Sequence, residues 1–171
     1  MAGQVLNSEP EIRNPAFKDR CERVARSGFR VSHPPEYAPL FNSAIISTKK
    51  RKGATLIESI EKAELAARAA LDKKAKDPVI LELKGLTVIA DYFIICSGES
   101  TTQVKAIADH VQEVLRKEGE KPLGVEGTDY AHWVLLDYGD VIVHVFEAET
   151  RAYYELEKFW LDAPRITVKD K

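Results

Sequence analysis

Four kinds of side chain in this 171-residue sequence could do chemistry if folding brought them together: the imidazoles of His132 and His144, the thiol of Cys96, the carboxylates of Asp91, Asp137 and Asp140, and the hydroxyls of Ser97 and Ser100. His132, His144, Cys96 and Asp137 are of the types that hold zinc, but their spacing matches no ligand pattern. His132 and its strand neighbour Trp133 would also point to opposite faces. They read as structural or interface residues, and no metal site is expected. Paired carboxylates can hold a catalytic metal. Asp137 and Asp140 instead flank a turn, and Asp91 follows another, positions where Asp is favoured for local hydrogen bonding. Cys96 ends an apolar run and reads as a small buried hydrophobe. A serine nucleophile would need an elbow such as G-x-S-x-G, which is absent.

The loop Ser97-Gly98-Glu99-Ser100-Thr101-Thr102 leads into a helix, and backbone amides at such a junction can cradle phosphate. One glycine without a following lysine falls far short of a phosphate-binding signature. Ser100 with Gln103 has the spacing of a helix-capping box, which accounts for the same residues. No catalytic set is complete, so the chain reads as a non-enzyme with no cofactor. A nucleotide-binding enzyme using the 97–102 loop is the alternative.

The elements that would position these groups follow from periodicity. Leu56, Ile60, Ala63, Ala67, Ala70 and Leu71 form a helical stripe that Asp77-Pro78 stops. Val79–Leu83 reads as a strand and Lys84-Gly85-Leu86 as a turn. Tyr92–Cys96 is an almost continuous apolar strand, a pattern that usually means burial on both faces. Val104, Ile107, Ala108, Val111, Val114 and Leu115 make a second helix ending before Gly119. A short strand lies in Pro122–Gly127. The acidic run from Glu147 opens a final helix carrying Tyr153, Leu156 and Trp160, which Pro164 ends, leaving Arg165–Lys171 as a frayed tail.

The stretch Tyr130–Phe146 is a β-hairpin, two strand-forming runs around Asp137-Tyr138-Gly139-Asp140. A loop of Tyr138 and Gly139 sets Trp133 opposite His144, Leu135 opposite Ile142 and Leu136 opposite Val141. One face then carries Trp133, Leu135, Asp137, Asp140, Ile142, His144 and Phe146, and the other Val134, Leu136, Val141, Val143 and Val145. The second face is core. The first mixes large apolar groups with an imidazole and carboxylates, and aromatic residues are the usual anchors of protein interfaces. Trp133, Leu135, Asp137, Tyr138 and His144 are therefore the candidate partner-binding residues, two or three of the aromatics near them being expected at the surface.

Composition sets the frame. The formal net charge of −2 forces no nucleic-acid or membrane partner, and no apolar run reaches the length of a membrane span. Residues 1–53 hold ten Lys and Arg against five Asp and Glu, with five prolines, and residues 54–171 hold fifteen against twenty-two. Residues 1–53 read as a basic, irregular arm, 54–166 as one α/β domain and 167–171 as a tail. Within the arm, Lys49, Lys50, Arg51 and Lys52 would attract a phosphate backbone and are the candidate RNA contacts. Two distant cysteines and no secretory signal fit a reducing compartment. Acidic Glu9, Glu11, Asp19 and Glu22 argue against a transit peptide, so cytoplasm is expected, with an organelle matrix as the alternative.

In order, DYFIICSGESTTQVKAIADHV, KPLGVEG, WVLLDYGDVIVHVF and YYELEKFWLDAPRI closely resemble the ribosomal silencing factor, or Iojap-related, family. The resemblance covers about residues 54–166. It implies an α/β fold with a mixed sheet of about five strands and helices packed on it, similar to nucleotidyltransferases but without their catalytic residues. Nucleotidyltransferases place Gly-Ser before a helix and two Asp one residue apart, whereas this chain has Ser97-Gly98 and no D-x-D pair. The resemblance also implies binding to the large ribosomal subunit through its ribosomal protein fourteen. That would block joining of the small subunit and repress translation, or assist large-subunit assembly. Oligomeric state stays open, a homodimer included.

Overall fold

In this computed structural model the structure describes residues 57–168. The basic arm, with Lys49–Lys52, lies outside them. The elements run α1 (Ser59–Asp72), β1 (Lys76–Glu82), β2 (Tyr92–Gly98), α2 (Thr101–Lys117), β3 (Gly124–Glu126), β4 (Trp133–Asp137), β5 (Val141–Glu147), α3 (Ala148–Tyr154), a 3-10 turn (Leu156–Trp160) and β6 (Arg165–Thr167). They form one six-stranded sheet in the order β3-β4-β5-β2-β1-β6. β2 and β5 are parallel, and every other neighbouring pair is antiparallel. The chain is thus the mixed α/β domain that its periodicity predicts.

β2 is buried along its whole length, as its unbroken apolar run requires, because strands flank it and layers cover both its faces. On one face, Ile80, Ile94, Cys96, Val134, Leu136, Val143 and Val145 pack with Ala63, Ala66, Ala67 and Ala70 of α1 and Val104, Ile107, Val111 and Leu115 of α2. The alanines let α1 lie close to the sheet, and its Ala-rich sequence favours the helix locally. Ser100 accepts the Gln103 amide at 3.3 Å and caps α2. The second half of the expected box is replaced: Gln103 Oε1 accepts the Glu99 amide, and its Nε2 donates to the carbonyls of Lys73 and Lys74 at the end of α1.

On the other face, Leu81, Phe93, Ile95, Trp133, Leu135, Ile142 and Phe146 are covered by Leu156, Trp160 and Ala163. The final helix is shorter than expected. Glu155 takes a left-handed conformation (φ 45°, ψ 45°), ends α3, and turns the chain into the 3-10 segment. That break changes the phase of the stripe, so Tyr153 is exposed while Leu156 and Trp160 are buried. The tail expected to fray instead supplies β6, pairing Ile166 with Ile80 of β1.

The hairpin register differs from the expected one. Trp133 lies opposite Phe146, Leu135 opposite His144 and Asp137 opposite Ile142. The turn residues are Gly139 and Asp140, closed by the Tyr138 amide donating to the Val141 carbonyl at 2.9 Å. Gly139 has φ +86°, as the first loop position of such a turn demands. Moving the turn by one residue shifts the pairing by two, so the division of residues between faces survives along both strands. Asp140 is the exception. As a turn residue it does not alternate, and it reaches the helical face to meet Lys62 at 2.8 Å.

Candidate docking surface

The hairpin face expected to be open is closed. Trp133 is 4% exposed and His144 is wholly buried, and Leu135 and Tyr138 are buried too. The physical reason is the C-terminal segment from α3 through Ala163, which lies over that face. Tyr138 packs into the helical side, where burial raises the pKa of its hydroxyl. Asp137 is half-buried, and its Oδ1 accepts the Gly139 amide at 2.8 Å, a turn role. The five residues do not form an exposed face. Trp133, Leu135 and His144 instead share the core that supports one.

That core is ordered by an aromatic cluster. The Trp133 ring stacks on Phe146 (4.5 Å between centroids) and meets Tyr154 at 5.2 Å. Phe93 contacts both His144 and Trp160 edge-on. The Trp133 indole N–H donates to His144 Nδ1 at 3.3 Å. Burial alone pulls the His144 pKa down to about 3, so the ring is neutral and its Nε2 carries the proton.

Exposed aromatic groups begin where this cluster reaches solvent. Tyr154 covers Trp133, and Tyr153, 60% exposed, packs edge-on against Tyr154 at 5.1 Å. Tyr130, 58% exposed, sits in the loop before β4. This loop is held tightly: the Ala131 amide donates to the Gly127 carbonyl at 3.0 Å. A Cβ at Gly127 (φ +81°) would come within 2.0 Å of the Trp133 carbonyl oxygen, so no other residue fits. His132 is fastened to the start of α3, its Nδ1 2.6 Å from Glu147 Oε2 and its carbonyl accepting the Glu147 amide. Asp129, Glu147 and Glu149 make the surroundings acidic. Tyr130, His132 and Tyr153 were missed as surface residues because Tyr153 fitted a buried stripe and nothing in the sequence marks the break at Glu155.

A second feature is an open cleft of about 470 Å³ lined by Asp77, Ser97, Arg151, Glu155, Glu157 and Lys158. Its Arg151 is fully engaged. Nε and Nη2 meet Glu157, Nη1 donates to Ser97 Oγ and the Lys76 carbonyl, and Nη2 also donates to the Asp77 carbonyl. All five guanidinium N–H groups have acceptors, so Arg151 fastens α3 to a bulge in β1 rather than presenting charge to a ligand. In the adjoining 97–102 loop, Ser97 Oγ and the amides of Glu99 and Gln103 are likewise committed to protein partners. Cys96 lies on the helical face, opposite His144, and burial pushes its thiol up to about 12. Among the described residues no group of three His, Cys, Asp or Glu could hold a metal, and no helix is long and apolar enough to cross a membrane.

Sheet and coverings define an α/β domain with two long helices on one side and a short aromatic, acidic C-terminal segment on the other. The sequence pattern of the family described as ribosomal silencing factor during starvation, RsfS, matches residues 56–171, and the chain belongs to this family. It is 48% identical over 106 residues to the ribosomal silencing factor RsfS of Halalkalibacterium halodurans, covering 62% of this chain and 91% of that one. It is 31% identical over 91 residues to the mouse protein named mitochondrial assembly of ribosomal large subunit protein 1, covering 52% of this chain and 40% of that one. A crystal structure of a Chromobacterium violaceum protein superposes with a TM-score of 0.60 at 36% identity, covering 67% of this chain and 95% of that chain.

Proposed function

We propose that this chain is a non-enzymatic factor that binds the large ribosomal subunit through its ribosomal protein fourteen and keeps the small subunit from joining, repressing translation. The mouse relative is named for assembly of the ribosomal large subunit, and large-subunit assembly is the second outcome of such binding. The reading rests on two exposed aromatics, Tyr130 beside the His132 that is fastened to the start of α3 and Tyr153 on α3 itself, with the carboxylates of Asp129, Glu147 and Glu149 on the same two segments. Aromatic anchors supply most of the binding energy in protein interfaces, and carboxylates around them complement a basic partner. Ribosomal proteins, which hold RNA phosphates, are basic partners of this kind.

Trp133, Leu135 and His144 serve this surface from beneath, and Lys49–Lys52 add a sequence-independent attraction to ribosomal RNA. The site of action is the cytoplasm, or an organelle matrix if the chain is imported there. A homodimer formed through the same aromatic patch would compete with the ribosome. The test is sedimentation of the full chain with isolated large and small subunits, followed by subunit joining in a sucrose gradient. The proposal expects pelleting with large subunits only and fewer joined ribosomes as protein is added. Equal pelleting with both subunits, or joining that is unchanged at saturation, contradicts it.

A further inference from the structure

Tyr130 is 58% exposed, so burial in the core does not hold its ring, and its direction is set by the backbone that carries it. That backbone bends sharply. Ala131, the next residue, is buried and takes a left-handed conformation (φ 54°), which a residue with a Cβ keeps only where its surroundings impose it. On one side the Gly127 carbonyl restrains the turn by accepting the Ala131 amide at 3.0 Å. On the other side the restraint comes from His132.

His132 is tied twice to one rigid point. Its carbonyl accepts the Glu147 amide at 2.8 Å, and its Nδ1 lies 2.6 Å from Glu147 Oε2. A carboxylate accepts hydrogen bonds, so Nδ1 carries the proton. Glu147 closes β5, where it pairs with Gly98 of β2, and is the N-cap residue of α3. Its side chain caps none of the helix amides and reaches across to the imidazole instead. Tyr153 is fixed to the same region, because it lies on α3 and packs on Tyr154, which packs on Trp133, the neighbour of His132. The His132–Glu147 pair thus joins the segment bearing Tyr130 to the helix bearing Tyr153. The His132 side chain is 50% exposed, so truncating it opens no cavity in the core.

We propose that His132 is a positioning residue for docking: its bond to Glu147 keeps the left-handed turn at Ala131 closed and holds the Tyr130 ring in one direction relative to Tyr153. An anchor already held in one direction loses less freedom on association, and affinity rises accordingly. His132 acts through Tyr130 rather than by touching the partner. Its consequence for binding rests on the docking reading above, whereas its effect on the turn does not.

Full chains carrying His132→Ala or His132→Asn, each with and without Tyr130→Ala, test it in two measurements, with urea midpoints verifying that every variant folds. Asn places an amide N–H where Nδ1 stands and restores the bond. In hydrogen exchange, the Ala131 amide exchanges about tenfold faster in His132→Ala and near the natural rate in His132→Asn. In binding to isolated large subunits, His132→Ala weakens affinity about fivefold, His132→Asn recovers it, and in the Tyr130→Ala background His132→Ala has no further effect. An unchanged Ala131 rate in His132→Ala overturns the proposal. An equal loss of affinity with and without Tyr130 also overturns it, because it assigns His132 a contact of its own. If the natural chain does not bind large subunits, the docking reading falls, and the Ala131 rates alone decide the role of His132 in the turn.

Discussion

The Trp133 indole donates its N–H to Nδ1 of His144 across two strands, and the bond is diagonal, because His144 lies opposite Leu135 and Trp133 opposite Phe146. The bond holds a neutral imidazole inside an aromatic core and gives the indole its acceptor. Two residue types associated with binding and catalysis are used here to order the interior.

His144 makes the domain acid-sensitive above the range where carboxylates titrate. Its pKa in the fold, about 3, lies below the 6.5 of a solvent-exposed imidazole in the unfolded chain, so below pH 6.5 the unfolded state takes up a proton that the folded state refuses. Stability is complete above 6.5 and falls as the pH drops toward 3, by at most about 1.4 kcal/mol per unit. Urea midpoints between pH 7 and 5 should decline for the natural chain. They should be flatter for His144→Leu, which starts lower because it removes the Nδ1 that accepts the Trp133 N–H.

Trp133→Ala is a stability variant. The side chain packs against Phe146, Tyr154 and His144, so its removal costs about 3–5 kcal/mol. Chemical denaturation measures this directly. A loss below about 1 kcal/mol, the range of exposed sites, would show that the ring is not part of the core.

Lys62 ties α1 to the hairpin turn. Burial pulls its pKa down, but its bonds to Asp140 and Glu120, 2.8 and 3.1 Å away, outweigh that and leave it raised. Asp140→Ala should cost about 1–3 kcal/mol, the figure being moderated because Asp140 is partly exposed. Lys62→Met should cost less than Lys62→Ala, since Met fills the space of the aliphatic stem. A double-mutant cycle in urea separates the pairing from the packing.

Arg151 should resist conservative replacement. Lysine has three donors on one point and cannot reach Glu157, Ser97 and the two bulge carbonyls together. Arg151→Lys should lower stability by about 1–3 kcal/mol and speed amide exchange around Lys76–Val79. Unchanged exchange there would mean that the bulge holds without it.

Much of this architecture was legible in the sequence. The apolar run of β2, the alanine stripe of α1 and the alternating valines of the hairpin each dictate an element and a buried face. The hairpin turn could not be placed to the residue, because Tyr138-Gly139 and Gly139-Asp140 both satisfy the turn chemistry, and the two choices leave the same faces buried. Exposure was harder to read. Whether the face bearing Trp133 and His144 meets solvent depends on a covering segment far along the chain, whose path turns on the single left-handed residue Glu155. β6 was hidden for a related reason: three residues after a proline carry little pattern, and their pairing with β1 is entirely tertiary.

The central claim is that the aromatic, acidic surface around Tyr130 and Tyr153 meets the large ribosomal subunit. The measurement is the affinity of the full chain for isolated large subunits, natural sequence against Tyr130→Ala/Tyr153→Ala, with urea midpoints showing both folded. The account predicts a loss of about tenfold or more, as expected for truncating exposed anchors, with stability nearly unchanged. Binding at the natural affinity by the folded double variant would contradict it.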